Sequence, residues 1–155
     1  MLIKRILLFI IITGILFTTT ASNQFILVIN NRITTIYPGA FMHRKSLTSI
    51  IISDSVIIIG SYAFAGCTSL ISITIPDNVK IIDRSAFARC ESLTSVTIGN
   101  GVTKINERAF SGCTSLTDVT MGNNVIITDN AFIGCVSLSE ESKQRILKIN
   151  PHAKF

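Results

Sequence analysis

Tryptophan is missing from this 155-residue chain, histidine occurs twice, proline three times, and charged residues make up only 15%. Each shortage excludes something. A nucleophilic cysteine needs a neighbouring base, yet the two histidines, His43 and His152, lie in terminal regions. His43 reads as a solvated residue beside Arg44 and Lys45. There is no C-x-x-C pair, and cysteines 23 residues apart in a straight column do not converge tetrahedrally on zinc. No metal or other cofactor is therefore expected. The cations are scattered rather than clustered, which is not the footprint of a nucleic-acid binder. No apolar run reaches the ~20 residues that a spanning helix needs.

The longest apolar run is "ILLFIIITGILF", residues 6–17, after "MLIKR" and before "TTTA". A charged start, a short apolar core and small residues at Thr19 and Ala21 form the three-part pattern of a secretory signal peptide. Residues 1–21 are read as that leader, with the mature chain starting at Ser22. An uncleaved membrane anchor is the alternative. No cysteine precedes Cys67, which excludes a lipid-modified cysteine at the cut. Without Lys4 and Arg5, twelve cations face nine anions, a net charge of +3 that aids solubility.

What fills the remainder is repetition. "AFAGCTSL" at 63–70 returns as "AFARCESL" at 86–93 and "AFSGCTSL" at 109–116. The Ala-Phe pairs end at Phe41, Phe64, Phe87, Phe110 and Phe132, spaced 23, 23, 23 and 22. A unit of this length cannot bury its own apolar face, so its neighbours must stack on it. Each module also carries an L-x-x-L-x-L stretch, as in Leu93, Val96 and Ile98. Alternation along a strand points Val96 and Ile98 inward and Ser95 and Thr97 outward. "PDNV", "SDSV", "GNGV" and "GNNV" are turns. A second apolar pair follows (Val56 and Ile59, Val79 and Ile82, Val102 and Ile105), and then the phenylalanine, read as a core wedge.

The pattern V-x-x-I-x-x-x-A-F-x-G-C-x-S-L-T-x-I-x-I-P-x-x-V resembles the BspA-like leucine-rich repeat family, over residues 25 to 138. The resemblance implies a β-rich repeat solenoid: a right-handed parallel leucine-rich-repeat stack with short strands. It also implies a secreted or surface protein of the adhesin or interaction kind. Departures are Arg44 in the place of Cys and Arg89 in the place of Gly. The solenoid is assigned to residues 22–138, with "QFILVIN" as its degenerate first strand. Residues 139–155 are assigned to a C-terminal capping helix and tail. Ser139 is its N-cap, Glu140 and Glu141 favour its start, and Asn150-Pro151 stops it.

Cys67, Cys90, Cys113 and Cys135 recur once per module. Equivalent residues on stacked coils sit ~4.8 Å apart with parallel Cα–Cβ bonds, beyond the ~3.5–4.5 Å between Cβ atoms in a disulfide. The expectation is a column of buried, reduced thiols. Asn31, Asp54, Asp77, Asn100 and Asn123 form another column. Two charges among five suit turn-capping side chains better than a calcium ladder.

The outward strand face carries Ser49, Ser72, Ser95 and Asp118 in one column and Ile51, Thr74, Thr97 and Thr120 in the next. One carboxylate among hydroxyls is no acid/base pair, so no enzyme is expected. The face is the candidate binding surface for a protein or glycoprotein, whether extracellular matrix or another cell surface. Localisation is expected to be secreted, cell-surface or periplasmic, with no membrane contact after leader removal. Five strands span only about 20 Å, so a single copy is expected to bind weakly. The rival expectation is a structural envelope protein held by its uncleaved N-terminus.

Overall fold

The structure, a computed structural model, describes residues 15–19 and 24–155. Strand β1 (Ile15–Thr19) precedes β2 (Phe25–Ile29) and the two-residue β3 (Thr35–Ile36). From there long and short strands alternate: β4 (Leu47–Ile52), β5 (Ile58–Ile59), β6 (Ser72–Ile75), β7 (Ile81–Ile82), β8 (Ser95–Ile98), β9 (Lys104–Ile105), β10 (Asp118–Thr120) and β11 (Ile126–Ile127). Helix α1 (Glu140–Ile149) follows. The alternation is the module written in space. The L-x-x-L-x-L stretch gives the longer strand, and the second apolar pair ends in the shorter one.

Coils stack in parallel. β3, β5, β7, β9 and β11 form one five-stranded sheet, with Ile36, Ile59, Ile82, Ile105 and Ile127 in register. The longer strands form two sheets of three, β1-β2-β4 and β6-β8-β10. The alternation expected of them holds: Ile73, Ile75, Val96 and Ile98 are buried, while Thr74 and Thr97 are exposed. This is a parallel β-solenoid.

The phenylalanines form its axis. Phe41, Phe64, Phe87, Phe110 and Phe132 stack with centroids 5.2–5.3 Å apart and planes within 14° of parallel. Offset stacks at this distance add ~0.5–1.5 kcal/mol per pair beyond area burial. The ring spacing matches the rise of one coil because the backbone on either side of each ring is bonded to the next coil. Phe64 N–H donates to Ala86 O at 2.8 Å, Phe87 to Ala109 O at 2.7 Å and Phe110 to Ala131 O at 2.8 Å. These bonds point from each coil to the following one. At the strand ends the sense reverses: Lys80 N–H, just before β7, donates back to Ile57 O, and Gly99 N–H, just after β8, donates back to Ile75 O.

Each end of the stack is closed. At the N-terminal end β1 pairs antiparallel with β2, from Ile15↔Ile29 to Thr19↔Phe25. Phe17 meets Phe41 edge-on at 6.2 Å, and the Arg44 guanidinium lies 5.8 Å from the Phe17 ring centroid. The leader expected at residues 1–21 falls largely outside the described residues, including the cut after Ala21. Its Ile15–Thr19 portion forms β1. "QFILVIN" starts the parallel stack as β2, as its sequence implied.

At the other end α1 is capped as expected, with the Ser139 hydroxyl accepting from Ser142 N–H and Ile146 fully buried. The helix also ties down the last coil's free edge, which its sequence did not announce. Ser142 Oγ accepts from Val119 N–H at 3.0 Å, and Arg145 Nη1 donates to Val119 O at 2.6 Å. Asn150 Nδ2 donates to Ile127 O at 2.9 Å. An unpaired strand edge invites aggregation, and these side chains occupy it.

Phe87 stacks on a ring on both sides and is fully buried, whereas Phe41 lies towards the N-terminal end and keeps 5% exposure. Phe87→Ala should therefore cost the ~3–5 kcal/mol of a truncated core phenylalanine and more than Phe41→Ala. Urea denaturation of both variants checks this, and equal midpoints would count against a stacked core.

Candidate functional site

The residues nominated from sequence lie where alternation put them. Ser72, Ser95 and Asp118 are in register across β6, β8 and β10, and so are Thr74, Thr97 and Thr120. Thr74, Thr97, Asp118 and Thr120 are exposed, Ser95 is half-buried, and Ser72 is exposed. The array is less uniform than its sequence. The Asp118 carboxylate is drawn to the C-terminal cap, where it accepts from Ser142 Oγ at 3.5 Å.

The column also breaks once. Ser49 and Ile51 sit on β4, which pairs with β2 and is not in the β6 sheet. The irregular step at Phe25/Ile26 lies in the same sheet as β4. A shallow groove of about 380 Å³ opens along the break. Ser49, Ile51, Ser72 and Thr74 line it, joined by Asp54 and Pro76, which sequence reasoning had not assigned to a binding surface.

Two isoleucines mark this region. Ile51 stands in the Thr74/Thr97/Thr120 column and is 54% exposed. Ile71 stands in a threonine column and is 49% exposed. In that column Thr94 Oγ1 donates to Ile71 O at 3.0 Å and Thr117 Oγ1 to Thr94 O at 3.0 Å. Ile71 has no hydroxyl to reach back to Thr48, and only its backbone N–H does so, at 3.3 Å against 2.8 Å for the next coil's Thr94 N–H to Ile71 O. Its departure from the threonine pattern was the available signal.

In the turn column one side chain, that of Asp77, binds backbone, and its partner lies in the next coil. Asp77 Oδ1 accepts from the N–H of Asn100, one coil on, at 2.7 Å. Asp83 gathers three donors: Ser61 Oγ at 2.8 Å, Arg84 N–H at 2.8 Å and Asn106 Nδ2 at 2.9 Å. Partial burial pushes its carboxyl up, but these bonds and Lys104 together hold it below the usual carboxylate value.

All four cysteines are buried and free. Each thiol has one task, which spacing alone did not reveal. Sγ donates to the carbonyl of the phenylalanine in the preceding coil: Cys67 to Phe41 O at 3.3 Å, Cys90 to Phe64 O at 3.3 Å, Cys113 to Phe87 O at 3.2 Å and Cys135 to Phe110 O at 3.1 Å. Each of these carbonyls already accepts a backbone N–H from the residue three positions on, as Phe64 O does from Cys67 N–H at 3.2 Å, and the thiol fills its second acceptor site inside the core. Burial pushes the Cys67 thiol up to about 11 and that of Cys90 further. Cys113 is raised by the adjoining Cys135 thiol and by burial. Thiols held neutral are poor nucleophiles. Arg44, in the cysteine position of the first coil, is exposed and turns to Phe17 instead.

Comparison with known proteins agrees with this architecture. The BspA type Leucine rich repeat region matches the chain in six copies over residues 19–153. No curated protein matches it. The chain is similar to a solved leucine-rich repeat protein from Bacteroides ovatus ATCC 8483, with 26% identity, a TM-score of 0.55, and coverage of 89% of this chain and 45% of that one. It is also similar to a leucine rich cell surface protein from Faecalibacterium prausnitzii A2-165, at 28% identity over 86% and 53% of the two chains and a TM-score of 0.48. A T. pallidum leucine rich repeat protein is 20% identical over 94% and 99%, with a TM-score of 0.48. This chain spans about half the length of the first two.

The thiols generate an alkaline prediction. A thiol whose folded pKa lies above its unfolded value of 9.0 contributes stability that is intact below pH 9 and lost as pH rises through the folded value. For Cys67 the window runs from 9 to about 11, worth roughly 3 kcal/mol at 1.36 kcal/mol per unit. Denaturation midpoints should fall above pH 9, with a shallower slope in Cys67→Ala. Alkylation without reductant should add four labels in denaturant and none in the fold. Two or zero labels in denaturant would contradict the free column.

Proposed function

We propose, from the premise that this chain belongs to the BspA-type leucine-rich repeat family, that it is a secreted or surface-exposed protein that binds another protein or a glycoprotein through its strand face. Leucine-rich repeat folds of this family typically serve protein–protein interaction and carry no catalysis. Export is supported by the charged start, short apolar core and small residues of the N-terminus. Among the described residues no helix is long and apolar enough to cross a membrane.

The observation that carries the choice of face is the break between β4 and β6. A uniform strand face of hydroxyls offers hydrogen bonds but little apolar area. The break adds a groove, with Ile51 on its wall, and Ile71 is exposed on the strand's approach to it. Apolar anchors in a depression, ringed by polar groups, are the usual centre of a binding site. Ser, Thr and Ile side chains also lose little rotamer freedom when covered. The face is narrow, about 20 Å along the stack, below what ~800 Å² per partner demands. A single copy binds weakly, and firm attachment comes from many copies displayed together. Extracellular matrix and the surfaces of neighbouring cells are partners that suit such display.

Biotinylated protein arrayed on streptavidin, exposed to matrix proteins and cell-surface extracts, is the first step. With the captured partner purified, Thr97→Arg and Ile71→Glu should each weaken binding at least tenfold, ~1.4 kcal/mol, with unchanged circular dichroism. Arg84→Glu, off this face, should bind as wild type. Wild-type binding by Thr97→Arg would remove the strand face from consideration.

A further inference from the structure

Two columns of residues flank the phenylalanine ladder in a left-handed backbone. One is Gly39, Tyr62, Ser85 and Arg108, with φ of 66°, 58°, 53° and 58°. The other is His43, Gly66, Arg89, Gly112 and Gly134, with φ of 59°, 71°, 58°, 69° and 80°. Glycine adopts this conformation freely, and other residues do so under strain. The inter-coil ladder imposes it regardless: His43 N–H donates to Ala65 O at 2.7 Å, Tyr62 N–H to Arg84 O at 2.9 Å, and Arg89 N–H to Ser111 O at 2.8 Å. Strained side chains persist where the surroundings over-determine them, and they cluster at binding sites.

Here the strained side chains share a groove. It holds about 640 Å³, with Ala65 and Ala88 in its lining and Tyr62 and Ile133 exposed beside them. His43, Arg89 and Arg108 line it as well, and no carboxylate does. The glycines make the room. A Cβ on Gly66 would run into the His43 ring, and one on Gly112 would touch Arg89 Cγ at 3.5 Å. Each large side chain thus lies over the glycine of the next coil. Arg108 has a loose contact with Glu107, 3.8 Å away, and Arg89 has no ion pair among the described residues.

We propose that this groove is a second binding surface, distinct from the strand face, and that it takes an extended acidic peptide segment of a partner protein. Alternate side chains of an extended peptide point to opposite sides. Its carboxylates meet Arg89 and Arg108 in the forked geometry guanidinium favours, and its apolar side chains rest on Ala65 and Ala88. A mostly apolar lining with two arginines suits such a segment better than a sulfated sugar chain, whose charge is denser.

The probe is an acetylated, amidated octapeptide of alternating glutamate and valine, followed by fluorescence anisotropy on the whole protein. It should bind, and its lysine–valine counterpart should not. Arg89→Gly should weaken it at least tenfold while Tm rises by ~2–4 °C, the shift that relief of a modest strain gives a chain of this size. That pairing separates lost binding from lost folding. Thr97→Arg should bind the octapeptide as wild type, which keeps this test independent of the strand face. No binding of the octapeptide, equal binding of the lysine peptide, or unchanged affinity in Arg89→Gly would each overturn the proposal. Tighter, Arg89-dependent binding of a heparin-derived oligosaccharide would overturn it in favour of a glycan.

Discussion

Each phenylalanine ring lies 5.2–5.3 Å from the next, nearly parallel, from Phe41 to Phe132. That contact has no meaning within one module, because a coil of 23 residues encloses one ring and cannot cover its faces. Stacking is what buries the ring, and stacking at this distance requires the two coils to be in backbone register. Register in turn places Ile59 over Ile82 in the short sheet and Val96 over Val119 in the long one. The rest of the core follows from that geometry. The molecule's stability is collective for the same reason, as expected where each unit contacts only its neighbours.

The cysteine and the left-handed residues belong to this spine. An Ala-Phe pair tucked into a tight corner leaves the phenylalanine carbonyl inside the core. The thiol one coil later donates to it, and a hydroxyl would be the more strongly hydrated substitute. The corner closes only if the residue before each cysteine takes positive φ, which explains glycine at 66, 112 and 134. His43 and Arg89 take the same backbone and project their side chains over the glycine that follows. Repetition makes the scaffold, and the few departures from it give the surface its chemical character.

What could be read from sequence was whatever repeats along the chain. The period, the buried Phe and Leu columns, the alternating strand face and the capped C-terminal helix all follow from residue spacing. What could not be read was whatever depends on contact between coils. The Cys-to-Phe carbonyl bond joins residues 25 or 26 apart, out of step with the 23-residue repeat. The weaker pairing between β4 and β6, where Ile71 N–H still donates to Thr48 O at 3.3 Å, is not marked by any breaker residue, and only Ile71 in a threonine position sets the place apart. Asp118 looked like one more outward residue until α1 brought Ser142 beside it. The antiparallel β1 falls in a segment whose composition pointed to a leader, so its pairing with β2 had no sequence signal.

The two proposed surfaces share one scaffold, a strand face with a shallow groove of mixed polarity and a cationic groove along the phenylalanine corner. The phenylalanine corner sets the coil stacking that positions both, and it should be the most protected part of the molecule. Native-state hydrogen exchange tests this directly. The amides of Phe64, Phe87 and Phe110, which bond forward to the next coil, should exchange slowest, with protection falling towards β2 and β11. Corner amides that exchange faster than those of Val96 and Ile98 in the central strand would contradict the account, because the stack would then be held by its sheets and not by its phenylalanine spine.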